Sequence, residues 1–312
     1  MKVKQICMMV LLWLGVIPAV QAQTFDKLWK EVEQAEKKSL PKTVIKLTDE
    51  IYQKGEKERN SAQMLKAYMW RMKTQDILTP DSFYVGLRDL EQWAKQTEQP
   101  MDCAILHSLI AEFYANYAAD NQWQLRQRTE IVGETPSADI REWTANMFVE
   151  KVRTNVKEAL ADSLLLLKTS SRNYIPFVEL GETSEYYHHD MYHLLASRAV
   201  RALNQIERLE RGSFNGITVS PVKQDIFNIY GRMADAYKTA GLKEGYVLTM
   251  LQYLEWERGN DNKLQPVQLK KGLGEWTADT YNAALDELKR QFKSEPICAE
   301  VYLAQARYAV EK

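Results

Sequence analysis

Apolar residues recur at helical spacing along most of the chain. Phe25, Leu28, Trp29, Val32 and Ala35 form one stripe, which predicts a helix capped by Thr24. Pro41 then suits a first helical turn, Val44, Leu47, Ile51 and Tyr52 follow at helical period, and Gly55 reads as the terminator. Met64, Leu65, Tyr68 and Met69 mark a third helix within Ser61–Met72. Asp81 opens a fourth through Tyr84, Leu87, Leu90, Trp93 and Ala94, and Pro100 opens a fifth through Cys103, Leu106, Leu109, Ile110, Phe113 and Tyr117.

The polar stretch 121–137, with Gly133 and Pro136, reads as a long connection. Helical patterning resumes over 138–168, gives way to an irregular stretch at 169–190, and returns strongly over 191–211. Ile217-Thr218-Val219 is the one stretch that reads as a short strand. Beyond it, Ile229–Gly259 with a turn at Gly241, and Tyr281–Tyr308 with a turn at Pro296, both read as helix–turn–helix units. Their length and their small and aromatic crossing residues have the texture of tetratricopeptide-like repeats, although the strict repeat signature is missing. The expectation is all-α, a helical-repeat (α-solenoid) array divided into 1–22, 23–135 and 136–312.

The first of those segments reads as an address. Lys2 and Lys4 precede an apolar run from Ile6 to Ile17, Pro18 breaks it, and Val20-Gln21-Ala22 supplies small residues for signal peptidase. The run is shorter than the roughly 20 residues of a bilayer span, so cleavage before Gln23 is favoured over a retained anchor. The expected location is the periplasm or the extracellular side of the envelope. Cleavage leaves Cys103 and Cys298, which an oxidising compartment would allow to pair. Their places on separate helix faces favour two buried free thiols.

Composition mainly excludes. The 312 residues carry 41 Lys+Arg against 42 Asp+Glu, so no basic footprint for nucleic acid exists. Four histidines and no catalytic signature argue against a classical enzyme, and no cofactor is expected.

Two histidines are the candidate metal ligands. His189 and His193, four apart in His189-Asp190-Met191-Tyr192-His193, would face one way if both lay on a helix. The metalloprotease pattern has Glu where Asp190 stands, and a third ligand from Glu207 or Glu210 follows no known spacing. A helix start beside an irregular loop is the preferred reading. Gly272-Leu273-Gly274 lacks the residues of a phosphate loop and reads as a helix-entry turn. His107 lies one turn from Cys103, but on a face with Leu106, Ile110 and Phe113, where packing explains it. Arg126, Arg128, Lys151 and Arg153 are scattered. The 16 Tyr and 8 Trp suit helix crossings better than a glycan surface.

Several patches resemble the N-terminal region of the bacterial (Bacteroidetes-type) alpha-2-macroglobulin family. They are Ala22-Gln23, Phe25-Asp26-Lys27-Leu28-Trp29-Lys30, Glu31-Val32-Glu33, Leu40-Pro41-Lys42, Ile51-Tyr52 and Asp139-Ile140-Arg141-Glu142-Trp143. Met191-Tyr192-His193-Leu194-Leu195-Ala196-Ser197-Arg198-Ala199 is similar to the family's Leu-Tyr-Asp-Leu-Leu-Ala-His-Arg-Ala. His193 replaces an Asp of that pattern and Ser197 a His, which weakens the metal reading. The resemblance implies a non-catalytic, secreted helical segment of a protease-trapping protein. Its partners would be downstream macroglobulin domains or target proteases. No Gly-Cys-Gly-Glu-Gln thioester motif occurs, so no functional residue is carried over. The rival expectation is a free-standing periplasmic tetratricopeptide-like scaffold that grips a protein partner.

Overall fold

The computed structural model describes residues 17–79, 82–129, 137–210, 220–259 and 278–311. Among them are thirteen α-helices and no strand. Ile217-Thr218-Val219 and Gly272-Leu273-Gly274 lie outside the described residues. No helix among the described residues is long and apolar enough to cross a membrane.

The chain forms two compact units, one of Met1–Asp89 with Arg172–Glu179, the other of Leu90–Ser171 with Leu180–Lys312. The helices on either side of the polar stretch that follows residue 120, α5 and α7 below, pack closely on each other.

The first unit holds α1 (Ile17–Lys37), α2 (Pro41–Glu58) and α3 (Ser61–Leu78), and α4 (Ser82–Gln96) begins in it. Its core is the expected stripe: Phe25, Trp29, Val32 and Ala35 meet Val44, Ile51 and Ala67. The Trp29 indole N–H donates to Gln63 Oε1 at 2.7 Å, so the ring is buried without an orphaned donor. Two expectations are corrected. Thr24 lies inside α1, because Val20-Gln21-Ala22-Gln23 contains nothing that stops a helix. Gly55 lies inside α2, where an added Cβ would stand 2.9 Å from Met64 Cγ. It is there for close approach, and Arg59, at φ 54°, takes the left-handed cap instead. Asn60 caps α3 by accepting from Gln63 N at 3.2 Å.

The second unit is built on α5 (Pro100–Asp120), apolar almost all round, with Ile105, Leu106, Leu109, Ile110, Ala111, Tyr114 and Ala115 buried. The polar stretch after it contains a short helix, α6 (Gln122–Gln127). The expected long helix over 138–168 is divided. A 3-10 turn (Ile140–Glu142) leads to α7 (Ala145–Ala159), and Asp162 starts α8 (Ser163–Lys168) by accepting from Leu165 N at 2.9 Å. Trp143 stacks on Tyr114 at 5.2 Å and Phe148 packs against both, tying α7 to α5.

Residues 171–187 carry only 3-10 turns, as the irregular pattern implied. Then come α9 (Met191–Ile206), α10 (Pro221–Ala240), α11 (Lys243–Gly259), α12 (Ala278–Gln291) and α13 (Cys298–Glu311). Gly241, at φ 71°, ends α10 as its position predicted. Within this unit α9 packs on α5, α7 and α10, α10 packs on α11, and α11 meets α12 and α13.

Candidate functional site

The histidine cluster forms where the irregular stretch enters α9. His188 and His189 both adopt positive φ, 51° and 53°, and this left-handed pair turns the chain into the helix. His189 therefore precedes α9, which starts at Met191, and the shared helix face that a two-histidine site requires does not form. His189 Nδ1 lies 3.0 Å from Ser184 Oγ, and its carbonyl accepts from Ser171 N and Oγ at 2.6 and 2.8 Å. His193, one turn into α9, stacks flat on Tyr187 at 3.6 Å and sits 3.4 Å from Ser197 Oγ. Burial holds its imidazolium form off, with a pKa down to about 4. Among the described residues no group of three or more His, Cys, Asp or Glu could hold a metal ion.

Asp190, in the place of a metalloprotease's general base, is the N-cap of α9. It is 5% exposed and accepts from His193 N at 2.7 Å. The Tyr237 hydroxyl of α10 also donates to it, 3.2 and 3.0 Å from the two carboxylate oxygens. Burial lifts the carboxyl to a pKa of about 6, against the pull of these hydrogen bonds. The same burial, followed by the neighbouring carboxylate, pushes the Tyr237 phenol up. Tyr187 buries its hydroxyl beside this group without a hydrogen bond of good geometry. The cluster is thus a closed clasp between α9 and α10 with no room for substrate.

Among the described residues Cys103 and Cys298 carry free thiols. Cys103 is half-buried, its Sγ donating to Ala94 O at 3.6 Å, and Cys298 is buried. Burial raises the Cys103 thiol, the opposite of what a nucleophile needs. His107 is engaged elsewhere, with Nδ1 at 2.8 Å from Asn155 Oδ1 of α7.

An open cleft of about 650 Å3 lies between α7 and α10 among the described residues, within the range of about 300–1,000 Å3 typical of ligand sites. Val156, Phe227 and Ile229 are the apolar residues that line it. Glu150, Arg153 and Lys157 contribute charge from α7, and Asp225, Arg232 and Asp235 from α10. At one end Arg153 bridges the walls, its Nε 2.6 Å from Asp225 Oδ2 and its Nη1 2.9 Å from Glu150 Oε1.

Of the charged residues here only Arg153 stands out in the sequence, and as scattered charge. The signal available was the i, i+3, i+7 spacing of Glu150, Arg153 and Lys157 and the similar run Asp225, Arg232, Asp235. Spacing on one helix does not reveal a facing helix some 70 residues away. No protein-family model, curated protein or solved structure matches the chain.

Proposed function

We propose that this chain is a non-catalytic, exported helical scaffold that holds a polypeptide in the α7–α10 cleft. The cleft carries this reading: it is open, lined by both charge signs, and has an apolar floor, while the histidine cluster is closed. The contact pattern of the second unit supports it. In a tetratricopeptide-like array each helix packs on its neighbours, and α9 packs on both α7 and α10, the two walls of the cleft. The patches similar to alpha-2-macroglobulin family proteins support placing this scaffold in an exported protein of that kind. A free-standing periplasmic scaffold is the other setting for the same cleft.

A photo-crosslinking residue at Thr154, which lines the cleft, tests the reading against one at Arg290, whose side chain is 74% exposed on α12. The expected result is a discrete adduct from position 154 alone, mapped to one protein segment. Identical adducts from both positions, or none from 154, overturn the cleft as the contact surface. The setting is tested separately. N-terminal sequencing of the natural product should begin at Gln23, and a start at Met1 ends the cleavage reading. Immunoblotting should detect a polypeptide much larger than 36.2 kDa if the chain leads into macroglobulin domains, and one near that mass if it stands alone.

A further inference from the structure

The glycines inside helices separate into two kinds. An added Cβ at Gly55, Gly86 or Gly245 would stand 2.9 Å from a side chain of Met64, Met72 or Tyr237, so each permits a close contact in the fold. Gly231 is different. It lies in the middle of α10, a helix of 20 residues, and a Cβ there would meet nothing within 4 Å. Glycine is the poorest helix former after proline, so this position weakens α10 with no internal packing reason. Gly231 lines the α7–α10 cleft. What its bare backbone provides is room for something that enters from outside.

Charge narrows what that is. In the cleft Arg153 is shared between Glu150 and Asp225 through the two ion pairs described above, so its charge is fully used there. Lys157, one turn beyond Arg153 on α7, and Arg232, two turns beyond Asp225 on α10, line the same cleft. Both are exposed, and neither makes an ion pair among the described residues. Arg232 Nε reaches only its own helix, 3.4 Å from Asn228 O, which leaves the terminal nitrogens of the guanidinium fork for a ligand. Two cations on facing walls suit one carboxylate between them, the stronger, charge-assisted kind of hydrogen bonding. Asp235, three residues past Arg232, sets the limit. A polyanion would meet its charge, whereas a carboxylate followed by a hydrogen-bond donor fits both.

We propose that the α7–α10 cleft selects a short extended segment of another polypeptide, with a Glu or Asp carboxylate held between Lys157 and Arg232 and its backbone passing over Gly231. This rests on the scaffold reading and adds to it the chemistry of the bound segment. A small carboxylic acid would satisfy the two cations but leave the apolar floor and the space over Gly231 unused.

The probes are dye-labelled hexapeptides of Gly and Ser carrying one Glu followed by Gln, with Gln or Lys replacing the Glu in control peptides. Affinity is read by fluorescence anisotropy on the chain without its first 22 residues, and folding is checked by circular dichroism. The Glu peptide is expected to bind at least tenfold tighter than either control. The double variant Lys157→Ala/Arg232→Ala should erase that preference and leave the control affinities alone. Gly231→Ala should weaken every peptide at least fivefold while raising Tm, a combination that a purely structural glycine does not give. Equal binding of Glu and Gln peptides, or a preference that survives the double variant, overturns the carboxylate assignment. The cleft reading then stands if Gly231→Ala still weakens binding. No peptide binding at millimolar concentration, together with a Thr154 crosslink unchanged by Gly231→Ala, overturns this proposal and leaves the scaffold reading standing, whereas no discrete Thr154 adduct at all overturns both.

Discussion

Two polar places in the second unit resemble each other in composition and differ in completion. The Asp190 clasp and the α7–α10 cleft each bring ionisable groups from two helices together. In the clasp the carboxylate is satisfied from inside, by the His193 backbone N–H and the Tyr237 hydroxyl, and no ligand can reach it. In the cleft Lys157 and Arg232 make no ion pair among the described residues, and Gly231 leaves open space. The general lesson is that polar residues in a fold divide by whether the fold itself uses them. A buried group that is hydrogen-bonded serves architecture, because leaving its partner unsatisfied is costly. An exposed charge with an empty, ligand-sized space in front of it adds little to stability.

The comparison breaks first at Asp190. Asp190→Ala removes the α9 cap, worth about 1 kcal/mol, and strands the buried Tyr237 hydroxyl at about 1–3 kcal/mol. Urea denaturation is expected to show a loss of about 3 kcal/mol, and a loss below about 1 kcal/mol would mean the clasp is ornamental.

Acidification sharpens the same point. Asp190 has its folded pKa raised to about 6, so its proton is held more tightly in the folded state, and stability from this group grows as pH falls through 6. His193 has its folded pKa lowered to about 4, so its contribution is present above about 6.5 and is lost as pH falls towards 4. Each effect is worth about 3 kcal/mol across the window by the linkage relation, and they oppose. The intact chain should therefore change little in stability between pH 6.5 and 4 on account of this cluster. Asp190→Asn should lose stability steadily over that range, and parallel pH profiles for the two proteins would contradict the pairing. The other titratable groups facing Asp190 are His188, Tyr187, Tyr192 and Tyr237. The three tyrosines are held further from ionisation by burial, so they do not titrate in this window.

The cleft should respond in the opposite sense. Gly231→Ala is expected to stabilise by about 0.5–1 kcal/mol, the helix-propensity gain at a site with free space. A destabilised variant would show that α10 needs the glycine for its own packing. Smallest of all, Lys157→Ala/Arg232→Ala should move stability by no more than about 0.5 kcal/mol, since neither charge is paired among the described residues. A larger loss in thermal denaturation would place both residues in the architecture after all.

Much of the fold is legible in the sequence, for physical reasons that can be named. Phe25, Trp29, Val32 and Ala35 form a core stripe because only one face of α1 is buried, and periodicity reports that. Pro41, Pro100 and Gly241 stand where their backbone restrictions predict. Gly55 was misread because the sequence does not distinguish a glycine that ends a helix from one that admits Met64. Leu160–Asp162 interrupts an apolar pattern that looked continuous, and only the Asp162 cap reveals the break. The two-histidine pattern failed because its first member lies in a left-handed turn before Met191. The cleft was the least legible feature, since it depends on α7 and α10 facing each other across α9.

The all-round burial of α5 has a consequence in time. Its amides sit beneath α7 and α9, so they are shielded by contacts from two directions at once. Exposing Leu106, Ile110 or Ala115 requires both covering helices to leave. In hydrogen exchange α5 would then report the global opening of its unit, with the slowest amides in the chain. The amides of α13, whose Tyr302, Leu303 and Val310 are exposed, would exchange long before it through local fraying. The order in which deuterium enters would trace the second unit from its rim to its centre.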